Sequence, residues 1–206
     1  MPVNKSYHHG DLRAALLRAS LDLMRQHGLH EFTLREVARR VGVSHAAPFR
    51  HFRDKDELLA AIAEEGFIRL TECLSAAVGK DWEPSRRLRN AAVAYVEFAR
   101  NAPEQFRVMF SVNLEGELHR SVKAAGQQLF ATIVNLVTDC VPFSQRVLRG
   151  SVDFSTEARI AWAHMHGIAS IQDRFGFQSR EEIVGFATIA VETLQQGMNP
   201  STVTKP

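Results

Sequence analysis

Thr33-Leu34-Arg35-Glu36, followed at fixed spacing by Ala38-x-x-x-Gly42-Val43-Ser44, constrains the fold of this chain more than any other stretch. A T-x-x-E box opens a helix because hydroxyl and carboxylate each satisfy a free N–H of the first turn. Gly42 ends that helix, since glycine tolerates the positive φ of a tight turn. Ser44 can cap the next one. Two short helices then meet at about 90–120°, a helix-turn-helix arrangement. Ala38 is small enough to let them approach, Val43 plugs the angle, and Leu34, Val37, Val41 and Phe52 supply a small core. An ordinary αα-corner has the same spacing, so the spacing alone leaves both readings open.

The rest of the chain continues in helical periods, and alternating strand patterns are nearly absent. Asp11 is the expected cap of a first helix carrying Leu12, Leu16, Ala19 and Leu23, which Gly28 stops. The helix capped by Ser44 reaches about Phe52. Asp54-Lys55-Asp56-Glu57 is a second capping box, opening a long helix that ends near Gly79. Pro84 suits the first position of another helix, ending before Pro103. A short apolar piece, Gln105 to Phe110, precedes a long helix from about Glu117 to Val141. A loop is expected over Phe143–Ser155, a helix from Ser155 to about Phe175, and a last helix from the box Ser179-Arg180-Glu181-Glu182 to Gly197. The tail Asn199–Pro206 is expected to fray. The fold class is therefore all-α, with about nine helices. An N-terminal three-helix helix-turn-helix domain (1–57) is joined by a long helix to a C-terminal helical domain (58–206).

Composition narrows the functional classes. The 206 residues, 45% of them apolar, suffice for a core without disulfide or metal. Cys73 and Cys140 alone exclude a disulfide-rich scaffold. No apolar run reaches the ~18 residues of a membrane span, and the N-terminus has no apolar signal region. A cytoplasmic, reducing compartment with no membrane partner is expected. The net charge of +2 hides an asymmetry: residues 1–60 hold ten Lys/Arg against seven acids, and six of the nine histidines. A basic end on a neutral body suits a polyanion contact there, although a solvated helix face shows the same excess.

No pattern of catalysis stands out. His164-x-His166 invites a metal, but residues two apart on a helix point about 200° apart and cannot share one ion. Nucleophile-elbow, P-loop and dinucleotide-binding motifs are absent. No cofactor and no metal are expected. The competing readings are a DNA-compacting protein without sequence preference and, further off, a metal-dependent helical enzyme.

Residues 10–60 resemble the DNA-binding domain of the TetR family of transcriptional regulators. Gly28, Thr33, Ala38, Gly42-Val43-Ser44, Arg50-His51-Phe52, Lys55 and Leu58-Leu59 carry the resemblance, as does the lead-in Tyr7-His8-His9-Gly10-Asp11-Leu12-Arg13. Trp162-x-x-x-His166-Gly167, with Phe98-Ala99-Arg100-Asn101-Ala102-Pro103 and Phe106-x-x-Met109-Phe110, is similar to the family's W-H-G class of C-terminal domain. The resemblance implies a regulator that binds a (pseudo)palindromic operator in double-stranded DNA as a homodimer. Repression relieved by a small-molecule effector is the common outcome, and activation stays open.

The DNA-binding set is Thr33, Arg35, Ser44, His45, Ala46, Ala47, Phe49, Arg50, His51 and Lys55. Arg50 can pair with guanine, and Ala46 and Ala47 can touch thymine methyls. His51 matches the family's phosphate-contacting histidine. Phe49 and Ala47 stand where the family has Tyr and Thr, so two hydroxyls are missing. Reading by Arg50, His45 and apolar contacts is expected in their place. Pro48 is expected to cost at most one helix bond.

Ile160 to Ile171 and Ile183 to Leu194 are apolar nearly all round, more than an internal core needs. Paired across a two-fold axis they form a four-helix interface. The candidate effector set is Phe98, Phe106, Met109, Phe110, Phe130, Trp162 and His166. Aromatics at helical spacing also suit a plain core, and His166 a satisfied core histidine. Gly167 is expected to permit close packing beside Trp162 and His166.

Overall fold

The structure is a computed structural model that describes residues 9–29, 31–111, 119–141, 154–174, 176–177 and 179–198. Among them are eight α-helices and two 3-10 turns, with no strand. The helices are α1 (His9–His27), α2 (Leu34–Val41), α3 (Lys55–Ala76), α4 (Pro84–Asn101), α5 (Pro103–Ser111), α6 (Arg120–Cys140), α7 (Ser155–Ile171) and α8 (Arg180–Met198). The 3-10 turns are Pro48–Arg50 and Gln172–Arg174. Tyr7, His8, Glu117, Phe175, the tail from Asn199 and the loop expected over Phe143–Ser155, Phe154 and Ser155 apart, lie outside the described residues. No helix among the described residues is long and apolar enough to cross a membrane.

The chain divides into two compact units, 1–66 with 104–123, and 67–103 with 124–206. Helix α3 is continuous across residues 57 and 58, where the sequence reading divides the chain, and the first unit extends along it to Gly66.

In the first unit Leu16, Leu23 and Met24 of α1, Phe32, Val37 and Ala38, Phe52, and Leu58 and Ile62 of α3 are buried together as an apolar core. Val41 is only half-buried. Helix α5 packs into the same unit. Gln105 donates to the Ile62 carbonyl at 3.2 Å. The buried Glu104 carboxylate receives both Arg25 and Arg107 at 3.5 Å. At Gly66 a Cβ would stand 2.6 Å from Met109 Sδ, so only glycine allows this approach of α3 and α5.

In the second unit α4 lies against both α7 and α8. Leu88, Ala92, Tyr95, Val96 and Ala99 of α4 are buried, as are Ala161 and Met165 of α7 and Ala187 and Val191 of α8. Three ion pairs border this core: Arg87 with Asp139, Arg89 with Glu192, and Arg180 with Glu97.

Several expected boundaries shift. Helix α1 starts at His9, so Asp11 sits inside its first turn, where an acid suits the helix dipole. Helix α3 stops at Ala76, before Gly79. Asp54 Oδ1 accepts the Glu57 N–H at 2.9 Å, but the Glu57 carboxylate reaches past Asp54 to the Arg53 N–H, so the box is offset by one residue. Helix α7 ends at Ile171 and passes into a 3-10 turn. Gly167 has open space where its Cβ would stand, so the expected close packing there is absent.

Candidate nucleic-acid interface

The helix-turn-helix begins at Thr33. Its N–H donates to Glu36 Oε2 at 2.8 Å and its hydroxyl to the same oxygen at 3.0 Å, while Thr33 Oγ1 accepts the Glu36 N–H at 3.3 Å. The hydroxyl of Thr33 is thus committed to the cap. These bonds, the Thr33 hydroxyl first, hold the Glu36 carboxyl below the usual carboxylate range.

Helix α2 ends in a Schellman motif. Gly42 adopts φ +78, its N–H reaches the Arg39 carbonyl at 3.2 Å, and the Val43 N–H reaches Ala38 at 3.0 Å. The chain then turns outward, leaving Ser44, His45 and Ala46 exposed.

The regular helix expected from Ser44 to Phe52 does not form. The Ala47 N–H bonds the Ser44 carbonyl at 2.9 Å and the Arg50 N–H bonds Ala47 at 3.2 Å, both three residues apart. Pro48 is the reason. An α-helix would bring the N–H of residue 48 to the Ser44 carbonyl, and proline has none. The carbonyl takes the Ala47 N–H instead, and the segment runs as successive three-residue turns. Pro48 itself is buried, and its carbonyl accepts the N–H groups of His51 and Phe52, both at 2.9 Å. Phe52 is buried beneath it, whereas Phe49 and Arg50 project into solvent.

Arg35 and Arg39 are exposed on α2. Lys55 is placed differently: its ammonium donates to the Phe32 carbonyl at 3.0 Å and sits 4.1 Å above the Phe32 ring. Desolvation there pulls its pKa down. The structure therefore gathers His45, Ala46, Phe49 and Arg50 on one exposed turn, and gives Thr33 and Lys55 bonds within the unit.

The expected effector residues fall in both units. Phe106, Met109 and Phe110 belong to the first unit, where the Phe106 and Phe110 rings stand 4.9 Å apart. Phe98, Phe130, Trp162 and His166 belong to the second. There Trp162 Nε1–H donates to the Tyr95 hydroxyl at 3.0 Å, and that hydroxyl is 3.0 Å from His166 Nδ1. The Phe130 ring lies 5.7 Å from Trp162. Burial pushes the Tyr95 phenol up and the His166 imidazole down.

Tyr95 was not among the candidates, although a buried tyrosine needs a partner for its hydroxyl. His164 is turned away from this cluster and borders an apolar cleft between α4, α7 and α8, lined by Leu88, Val96, Met165, Ala187 and Val191 among others. Its separation from His166 follows from their two-residue spacing on a helix.

A sequence model described as "Bacterial regulatory proteins, tetR family" matches residues 16–62. A second, described as "Tetracyclin repressor-like, C-terminal domain", matches residues 88–194, more than half of the chain. The chain belongs to the TetR family. A solved protein of unknown function from Rhodococcus sp. RHA1 is 35% identical, with a TM-score of 0.77, over 94% of this chain and 98% of its own. A tetR-family regulatory protein from Rhodococcus RHA1 is 18% identical, with a TM-score of 0.70, over 88% of this chain and 96% of its own. AibR, solved in complex with isovaleryl coenzyme A and operator DNA, is 20% identical, with a TM-score of 0.67, over 86% of this chain and 96% of its own. The latter two show the fold alone. Ala47 and Phe49, which differ from the family pattern given above, lie with Pro48 in the turn that follows Gly42.

Proposed function

We propose that this TetR-family protein is a cytoplasmic transcriptional regulator, a repressor, that binds a (pseudo)palindromic operator as a homodimer and releases it on binding a small-molecule effector. One observation carries the reading: a rigidly capped α2 and a left-handed Gly42 hold an exposed turn bearing His45, Ala46, Phe49 and Arg50. Such a turn suits the major groove, where the first residues of the second element reach base edges. Ser44, Ala47 and His51 flank it, and Arg35 is free to meet phosphate. Thr33 and Lys55 contribute by holding the frame, and the remaining N–H groups of the Lys55 ammonium can meet a phosphate.

One such turn reads half a site, so specificity calls for two. Ile160 and Ile171 of α7 and Phe186 and Ile189 of α8 are exposed, and they form the proposed contact with a second copy. The effector is proposed to bind in the second unit near Phe98, Phe130, Trp162 and His166. AibR, of similar fold, has been solved with an acyl coenzyme A and with operator DNA. Binding there acts by population shift: the effector favours a spacing of the two turns other than the ~34–36 Å of successive major grooves. The reading involves no catalysis.

The experiment is selection of the full chain against randomised duplex DNA, followed by footprinting. An inverted repeat with half-sites about one helical turn apart is expected. Equal binding to all sequences would support charge-driven DNA compaction instead.

A further inference from the structure

Phe49 is 52% exposed in the middle of the turn proposed to face DNA, a large apolar ring with half its surface open to solvent. Its position is imposed. Pro48 and Phe52 on either side are buried, and the Pro48 carbonyl holds the N–H groups of both His51 and Phe52. The 3-10 geometry that Pro48 forces then points the intervening side chain out. Ala46, three residues earlier in the same run of three-residue turns, is exposed as well. Arg50 stands beside them as the polar member of the group.

A phenyl ring cannot donate to phosphate, so its gain on binding must come from apolar surface. Among the base edges on the major-groove floor, only the C5-methyl of thymine offers an apolar group. Resting on the reading of this turn as a DNA-binding element, we infer that Phe49 and Ala46 form an apolar reader of thymine methyls. This chain's operator half-site then carries thymine at the step that Phe49 covers. The turn trades the phosphate hydroxyls of an ordinary reading helix for methyl recognition.

The test uses the full chain and the inverted repeat it selects from random duplexes. Each thymine of a half-site is replaced by uracil, which removes only the methyl. For the unmodified protein, uracil at one or two positions is expected to lower affinity about fourfold, the value of one buried methyl. In Phe49→Ala the penalty disappears at those positions, and in Phe49→Tyr it persists. Far-ultraviolet circular dichroism and the melting temperature of Phe49→Ala match those of the unmodified protein, which shows that the exposed substitution leaves the fold intact. Indifference of the unmodified protein to uracil throughout the site, a selected half-site without thymine, or a penalty unaltered in Phe49→Ala would overturn the inference while leaving operator binding in place. Failure to enrich any sequence would overturn the DNA-reading function itself, and with it this inference.

Discussion

The Tyr95 hydroxyl lies 3.0 Å from His166 Nδ1 and receives the Trp162 indole N–H from its other side, also at 3.0 Å. An indole N–H only donates, so the Tyr95 oxygen accepts there and keeps its own proton for a further partner. We predict that this proton goes to His166 Nδ1, which leaves the ring neutral with its proton on Nε2.

Burial favours the same neutral form, holding the His166 pKa below the ordinary histidine value of 6.5. A proton is therefore bound more readily by the unfolded chain. The stability contributed by His166 is present above pH 6.5 and is lost as pH falls through the lower folded value. Ring nitrogen NMR should show the Nε2–H tautomer at neutral pH and a titration midpoint below 6.5. An Nδ1–H resonance would contradict the proton placement. Tyr95→Phe removes both of these hydrogen bonds and should lower unfolding free energy by about 1–3 kcal/mol.

Gly66 and Met109 set the approach of α3 to α5 within the first unit. An added Cβ would stand 2.6 Å from Met109 Sδ and 2.7 Å from its Cγ. Met109 is buried and has little room to give. Gly66→Ala should destabilise the protein by about 1–3 kcal/mol, the usual cost of overpacking. In a Met109→Ala background the same substitution should cost less, because the clashing atoms are gone. Additive effects in that double-mutant cycle would show that the two residues are not coupled.

On the proposed reading, Arg50 reads a base and Arg35 meets a phosphate. Arg50 extends from the exposed turn, while Arg35 stands on the outer side of the capped helix α2. Arg50→Ala should cost about 1–3 kcal/mol on the selected operator and relax preference at one guanine. Arg35→Ala should weaken operator and unrelated DNA alike and reduce the salt slope by about one ion. Electrophoretic or fluorescence titrations at several salt concentrations read both effects. If Arg50→Ala changes only the salt slope, Arg50 contacts phosphate rather than a base.

Features written in local chemistry were legible before the structure. Thr33 and Glu36 bond each other across three residues, and Gly42 can adopt its positive φ whatever surrounds it. Pro84 begins α4 for an equally local reason. The break at Pro48 was misjudged because its cost was counted as one hydrogen bond. The lost bond falls in the first turn of a very short element, where too few other bonds exist to propagate an α-helix. The scatter of the effector candidates has the opposite origin. Spacing places Phe106, Met109 and Phe110 on helical faces, but which partner each face meets is a tertiary matter. Gly66, the counterpart of Met109, carries no side chain by which a sequence pattern could mark the contact. The bond network of Tyr95 depends on two residues of α7, about 70 positions away, which no local pattern around Tyr95 marks.

Ile160 and Ile171 on α7 and Phe186 and Ile189 on α8 supply most of the exposed large apolar side chains of the described residues, and Ile189 is the most exposed of them at 64%. On α7 the two isoleucines are eleven residues apart, three helical turns, and so share one stripe. On α8 the pair is three apart and shares a face. Each is worth roughly 1.5–3 kcal/mol when fully buried, and a two-fold contact counts every residue twice. Ile189→Asp would place two carboxylates in that contact and should convert the protein to a monomer at micromolar concentration in sedimentation velocity. Operator affinity should then fall further than in Arg50→Ala, because a monomer holds one half-site only. Ile68→Asp is the control: Ile68 is 46% exposed on α3, outside both helices, and its loss should leave the dimer intact. A dimer that persists in Ile189→Asp with full operator affinity would place the two-fold contact elsewhere on the molecule.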